Sequence, residues 1–173
     1  MTLAPFILGL VTAQRLGELA LAARNTRRLK AQGAFEAGEG HYPLLVLLHG
    51  AWLTSLWALG WDRAINLPLL VLFALLQAAR VWVIATLGGR WTTRIIILPG
   101  APLVRDGPYR LTAHPNYAVV VAEIAVLPLA LGLPIVAMVF SLLNGGMLWI
   151  RIRAENEALR TLNNPAISAI EGS

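Results

Sequence analysis

The chain is predicted to be an all-α, polytopic integral membrane protein with about five transmembrane helices and a C-terminal helical hairpin. Of its 173 residues, 57% are hydrophobic and only 13% are charged, and the mean hydropathy is +0.66. Soluble domains carry about 25% charged residues, and one of this size could not bury so much apolar surface. The chain has no cysteine, which excludes disulfides and thiolate chemistry, and we expect no metal site because no ligand spacing is present.

Five apolar segments have the length and composition of bilayer spans, which need about 20 residues each. They cover 3–23, 42–61, 64–87, 117–131 and 133–150. Gly132 and Pro134 separate the last two, which predicts a tight hairpin. The fourth segment is short, so we expect it to start below the interface. The first lacks a basic leading region and carries Arg15 and Glu18, which predicts a retained span.

The basic residues fall into three short blocks, which follow the first, third and fifth spans. Cytoplasmic loops are rich in arginine and lysine, so we expect the N-terminus outside and the C-terminus inside. Such blocks are a topology signal, so the net charge of +5 does not indicate a nucleic-acid partner. Lys30 is the one lysine in the chain, and this preference for arginine favours a bacterial protein, in the inner membrane.

Several polar groups lie within the predicted spans, where each charge costs about 2.5–3.5 kcal/mol on insertion scales. Arg15 and Glu18 are three residues apart and are expected to form an ion pair. Arg80 is expected to extend its guanidinium towards the interface. His49 is interpreted as an interior structural histidine. Glu123 has no basic residue one turn away, so pairing with another helix, ligand binding and protonation all stay open.

Gly145 and Gly146 in the fifth span predict close helix packing. The pair permits a dimer without requiring one, and the sequence leaves the oligomeric state open.

A turn-rich segment before the fourth span is the first candidate for chemistry. Gly107-Pro108 marks a turn, and Pro115 suits the first turn of a helix. Asn116 and Tyr117 would then lie at a helix N-terminus, where free amide groups bind anions, although a capped loop without a ligand is equally compatible.

A second cluster follows the fifth span, where Arg151 and Glu155 share one helix face. Alone, this pair would be an ordinary surface salt bridge. Because both clusters flank the same hairpin, an imidazole, a phenol, a guanidinium and a carboxylate are expected around one cleft.

These motifs resemble the isoprenylcysteine carboxyl methyltransferase family, including its bacterial members. The likeness lies in Gly-x-Tyr, His-Pro-x-Tyr and Arg-Ile-x-x-Glu before leucine, between residues 88 and 159, and more loosely in the whole five-span layout. The stretch 33–53 also resembles bacterial members. The resemblance implies an S-adenosylmethionine pocket at the cytoplasmic ends of the last two spans. It assigns to that pocket Ala101, Pro102, Leu103, Val104, Tyr109, His114, Pro115, Asn116, Tyr117 and Glu155.

The resemblance also implies that Glu155 would bind the ammonium end of the cofactor and that Arg151 would face the acceptor. A hydroxyl acceptor would need to lose its proton, for which His114 or a carboxylate is a candidate. Two positions depart from the family pattern, since Ala113 stands where arginine is usual and Asn156 where a second glutamate is usual. Both changes bear more on the acceptor than on the cofactor.

The expected activity is O-methylation of a lipid-like acceptor that enters from the bilayer, among the membrane lipids. A prenylcysteine carboxylate and the hydroxyl of a phenolic or pyrone lipid are both candidates. The alternatives are phospholipid N-methylation and a non-catalytic transporter or assembly subunit that uses the polar groups within the spans. We expect one domain over 1–162, with the cofactor region at 88–160 and a flexible tail over 163–173.

Overall fold

Five helices form the protein in the computed structural model, which describes residues 3–163 and the side chains as far as Arg160. The helices are α1 (Ala4–Ala31), α2 (Tyr42–Gly60), α3 (Leu67–Leu87), α4 (Pro115–Ala130) and α5 (Pro134–Asn163). The helical membrane fold is therefore confirmed. A flexible tail is expected over 163–173, and its residues after Asn163 lie outside the part of the chain that the structure describes.

Four of the helices are long and apolar enough to cross a membrane, and α4 is the shorter fifth. With 16 residues, α4 is about 24 Å long, less than the roughly 30 Å of a bilayer core, as its short apolar segment predicts. Helices α1 and α5 run past the predicted ends of their spans at 23 and 150. Arg28 and Lys30 lie in the last turn of α1, beyond the predicted span, where the helix dipole stabilises positive charges.

A two-stranded antiparallel ribbon joins the loop before α2 to the loop after α3. Strand β1 (Phe35–Ala37) pairs with β2 (Ile95–Ile97), with Phe35 opposite Ile97. The sequence analysis did not predict it, because three residues are too few to show a two-residue periodicity. Since Arg151 of α5 also bonds to Thr93 beside β2, all three basic blocks lie on one face of the bundle.

Glu36 of β1 holds this ribbon to the end of α1 by two ion pairs. Its carboxylate accepts from Lys30 Nζ at 2.8 Å and from Arg94 Nη1 at 2.6 Å. Burial acts to raise the pKa of Glu36, but the bonds from Lys30 and Arg94 outweigh it and lower the pKa below its usual value of 4.5.

The opposite face of the bundle carries the hairpin between α4 and α5. Leu133 N donates to Pro128 O at 2.9 Å, and Gly132 adopts a left-handed φ of 68° that suits glycine. The backbone N–H of Asn66, just before α3, donates to Ala130 O at 2.8 Å. The predicted helical hairpin is confirmed.

A proline in the last turn of α4 accounts for the contact that Trp52 makes. Pro128 has no amide hydrogen, so the carbonyl of Ile124 lacks its helical donor. The buried indole of Trp52 donates to that carbonyl at 3.3 Å. Because an unpaired carbonyl is costly in lipid, this hydrogen bond stabilises the packing of α2 against α4.

The apolar core fills the half of the bundle that is remote from the three basic blocks. All five helices contribute to it, through Leu8, Leu56, Phe73, Leu127 and Val136 among others. The half nearer the loops holds polar groups and a large cavity instead.

The prediction of close packing at Gly145 and Gly146 is wrong within the chain. Both glycines are exposed, and a Cβ at either would meet no atom of the described residues within 4 Å. The face of α5 that carries them turns outward, while Asn144, Met147 and Leu148 turn inward.

Candidate active site

Four charged side chains form a neutral buried cluster between α1, α3 and α4. Arg80 donates to Glu18 from Nε at 2.6 Å and to Glu123 from Nη1 at 3.0 Å. Arg15 completes it with bonds to Glu18 at 3.0 Å and to Glu123 at 2.8 Å. Two cations and two anions therefore balance, which lowers the cost of holding them within the membrane.

This cluster confirms one prediction about the spans and corrects another. The Arg15–Glu18 ion pair is present as expected. The prediction that Arg80 extends to the interface is wrong, since its side chain is only 7% exposed and two carboxylates meet it within the bundle. Of the three possibilities for Glu123, the structure shows pairing with other helices, and Gln77 adds a donor at 2.7 Å.

The loop between α3 and α4 is folded by a short 3₁₀ turn at Gly107–Arg110. Gly107 has φ +54° and lies against α3, where a Cβ would come within 2.7 Å of Thr86 Oγ1. Arg90 fixes the segment before this turn by donating to Pro102 O at 2.6 Å. Burial, together with the nearby Glu155 carboxylate, raises the pKa of Tyr109 to about 12, so its phenol stays protonated at neutral pH.

Helix α4 begins where the sequence predicts, at Pro115. The His114 carbonyl accepts from the amides of Tyr117 at 3.1 Å and Ala118 at 3.3 Å. Asn116, in the first turn, has a buried side-chain oxygen with no hydrogen-bond partner among the described residues. That oxygen can only accept, so it suits a donor on a bound molecule.

The four side-chain types expected around one cleft do meet there. Tyr117 Oη donates to Glu155 Oε2 at 2.9 Å, and His114 Nδ1 lies 3.8 Å from the same oxygen. The rings of His114 and Tyr117 stack, with centroids 5.2 Å apart. The Arg151 guanidinium lies 5.9 Å from the Tyr117 ring and donates to Thr93 O at 3.0 Å. Arg151 is thereby held beside Tyr117 on the cavity wall.

One cavity of about 1160 Å³ connects this cluster to the interior of the bundle. Its volume exceeds the 300–1,000 Å³ of common ligand pockets. All the residues predicted for the site line it except Pro115, which is buried in the first turn of α4. The lining includes Ala101, Pro102, Leu103, Val104, Tyr109, His114, Asn116, Tyr117, Arg151 and Glu155. Ala113 and Asn156, the two departures from the family pattern, line it too.

Buried polar atoms without partners concentrate on the wall of this cavity. They belong to Arg15, Trp91, Asn116 and Asn144, whereas Ser141, the fifth such residue among those described, is not part of the lining. Neither Asn144 nor Trp91 was expected at the site from the sequence. An asparagine within an apolar span was the available signal for Asn144, since amides there need a partner.

These features define a helical integral membrane protein whose polar cleft joins one membrane face to the bundle interior. The model of the isoprenylcysteine carboxyl methyltransferase (ICMT) family matches residues 69–161. The chain belongs to this family. It is also similar to "Uncharacterized protein YpbQ" of Bacillus subtilis, with 37% identity over 163 residues, covering 89% of this chain and 95% of that protein. No solved structure matches it. The resemblance drawn from the motifs, including its bacterial character, is confirmed.

Proposed function

We propose that this protein is an S-adenosylmethionine-dependent O-methyltransferase that acts on a lipid-like acceptor within the membrane. The observation that carries the proposal is the cavity that joins the Arg151–Tyr117–Glu155–His114 cluster to the bundle interior. Family membership supports methyl transfer as the chemistry. The depth of the cavity supports an acceptor that resides in the bilayer.

The residues at the loop end of the cavity fit the cofactor. Glu155 offers a carboxylate to its ammonium group, and the unpartnered Asn116 oxygen offers an acceptor to an amino or hydroxyl group. The amides of Tyr117 and Ala118 already donate to His114 O, so the Asn116 amide is the first-turn donor proposed to meet its carboxylate. Tyr109, held as a neutral phenol, can donate, and the 101–104 segment lines the same cavity. The cofactor, when bound, supplies an electrophilic methyl group on a sulfonium.

The protein's own contribution is to align the acceptor and exclude water. Arg151, held by Thr93, would orient the acceptor oxygen. A carboxylate acceptor is already nucleophilic, while a phenol or enol must lose its proton as the oxygen–carbon bond forms. His114 is the candidate to take that proton, with Glu155 at 3.8 Å to stabilise the imidazolium.

The acceptor is proposed to enter sideways between α1 and α2. Leu16, Leu19 and Val46 line the cavity and are 62%, 42% and 44% exposed. An apolar rim of this kind suits a hydrocarbon tail that remains partly in lipid. The arginine distribution supports a cytoplasmic position for the face that carries the basic blocks and the mouth of the cavity. The membrane is proposed to be the inner membrane of a bacterium.

The arrangement of the buried charges gives little support to a transporter. Arg15, Glu18, Arg80 and Glu123 are bonded to one another in a neutral set, rather than presented along a continuous path. Phospholipid N-methylation remains an outcome that the assay below distinguishes.

Transfer of a tritiated methyl group, followed by lipid extraction, tests the proposal. Purified protein in nanodiscs is given labelled S-adenosylmethionine with N-acetyl-S-farnesylcysteine, 5-pentadecylresorcinol or phosphatidylethanolamine. We expect label on one of the two oxygen acceptors and a loss of at least tenfold in Arg151→Lys, which keeps the charge but not the planar fork. Label on phosphatidylethanolamine alone, or on none of the three, would reject O-methylation of these acceptor classes.

A further inference from the structure

A second, smaller cavity of about 410 Å³ forms a groove at the end of α1 that carries the first basic block. One wall is a single face of α1, and the other comes from the ribbon and the residues next to it. The residues of the two walls are Leu19, Ala23, Thr26, Arg27 and Lys30 on α1, and Glu36, Tyr42, Thr93 and Arg94 opposite. None of the described residues assigned to the cofactor lines this groove.

The groove changes from apolar to cationic along α1. Leu19 and Ala23 lie within the predicted span, which ends at 23, whereas Arg27 and Lys30 lie beyond it. At 1.5 Å per residue, Arg27 is about 12 Å from Leu19 along the helix axis. The polar interface on each side of a bilayer is roughly 5–8 Å thick, so a groove of this length reaches from the head groups into the hydrocarbon.

Cations dominate the loop end of the groove. Lys30 and Arg94 share the Glu36 carboxylate, which is only 2% exposed, while their own side chains are 45% and 37% exposed. The two cations are therefore more accessible than the anion that joins them. Arg27 adds a third exposed positive charge and forms no hydrogen bond or ion pair with another described residue. Glu39, outside the lining, is 4.0 Å from Lys30, so three cations face two carboxylates and the set stays positive.

Tyr42 and Glu36 hold Arg94 on the wall opposite Arg27. The Arg94 guanidinium lies 4.0 Å from the centroid of the Tyr42 ring, and its Nη1 donates to Glu36 at 2.6 Å. Tyr42 is itself placed by the contact of its hydroxyl with Thr93 Oγ1 at 3.1 Å. Cationic donors thus stand on both walls, an arrangement that suits the oxygens of a phosphate.

We propose that this groove binds the phosphate of an anionic phospholipid, with the acyl chains directed along α1 past Leu19. A free phosphate matches the cations but leaves the apolar end at Leu19 and Ala23 uncovered, whereas a lipid covers both ends. The groove shares Leu19, Tyr42, Thr93 and Arg94 with the larger cavity. The bound lipid therefore lies beside the proposed entry of the acceptor between α1 and α2.

Binding of tritiated dioctanoyl phosphatidylglycerol to the detergent-purified protein, measured by scintillation proximity, tests this inference. The unlabelled competitors are phosphatidylglycerol, inorganic phosphate at constant ionic strength, and phosphatidylcholine, whose choline cation the groove should repel. Arg27→Gln removes one cation of the groove, and Arg27→Lys keeps the charge. Arg24→Gln is the matched control, because Arg24 is exposed on the same helix but lines neither of the two cavities.

We expect wild type and Arg24→Gln to bind phosphatidylglycerol about fivefold more tightly than Arg27→Gln does. Arg27→Lys should bind nearly as wild type, and all variants should keep the melting temperature of wild type because both arginines are exposed. Equal affinities of Arg24→Gln and Arg27→Gln, or no saturable binding by wild type, would overturn the site. Displacement by phosphatidylcholine or inorganic phosphate as effective as by phosphatidylglycerol would overturn its assignment to an anionic lipid. No methyl transfer is measured, so the outcome is independent of the proposed activity.

Discussion

Glu123 balances two arginines inside the bundle, and replacing it with glutamine removes that balance while keeping its shape. The carboxylate is 1% exposed and accepts from Arg15, Gln77 and Arg80. In Glu123→Gln, two guanidinium groups face the single remaining carboxylate of Glu18. Breaking a buried ion pair by removing one partner costs about 3–5 kcal/mol. At about 2–4 °C per kcal/mol for a chain of this size, the melting temperature should fall by roughly 6–20 °C.

Thermal unfolding in one detergent, followed by tryptophan fluorescence, measures this shift. The double variant Arg15→Gln/Glu123→Gln restores neutrality, because it leaves the Arg80–Glu18 pair alone. It should recover at least half of the loss, although each single variant is destabilised. A melting temperature within about 2 °C of wild type for Glu123→Gln, or a double variant less stable than either single one, would refute the charge-balance argument.

Two further predictions concern single contacts. Trp52→Phe leaves the Ile124 carbonyl without a donor and should lower the free energy of unfolding by about 1–3 kcal/mol. The loss should be smaller in a Pro128→Ala background, where the helical amide is restored. Equal losses in both backgrounds, measured by thermal unfolding, would contradict the role given to the indole. The lowered pKa of Glu36 predicts that its contribution to stability is present above its unfolded value of 4.5 and is lost as pH falls through the folded value. The gap in melting temperature between wild type and Glu36→Gln should therefore narrow on acidification, and a constant gap would exclude this linkage.

The five helices and their connections could be predicted because apolar length and breaking residues act locally. Gly132 and Pro134 mark the hairpin, and Pro115 marks the start of α4, without reference to the rest of the chain. The ribbon between β1 and β2 could not be predicted, because the centres of its strands, Glu36 and Ile96, are 60 residues apart in the sequence. Only three residue pairs define its register. Such long-range pairing leaves no pattern in a three-residue segment.

The site was predictable where its residues flank one hairpin and less so where helices cross. His114, Tyr117, Arg151 and Glu155 were expected together because the α4–α5 hairpin brings both segments to one end. The partners of Arg80 could not be predicted, because they depend on which carboxylates the neighbouring helices present at its depth. The rotation of each helix about its own axis determines this. The same holds for Asn144, whose burial on the cavity wall depends on how α5 is rotated against its neighbours.

Titration of S-adenosylmethionine into the detergent-purified protein tests the central claim most directly. We predict saturable binding by wild type, weakened at least tenfold in Glu155→Gln, because that variant loses the charge-assisted bond to the ammonium group. Glu157→Gln, an exposed neighbour on the same helix that does not line the cavity, should bind as wild type does. No binding by folded wild type, or equal binding by wild type and Glu155→Gln, would contradict the cofactor site at the mouth of the cavity.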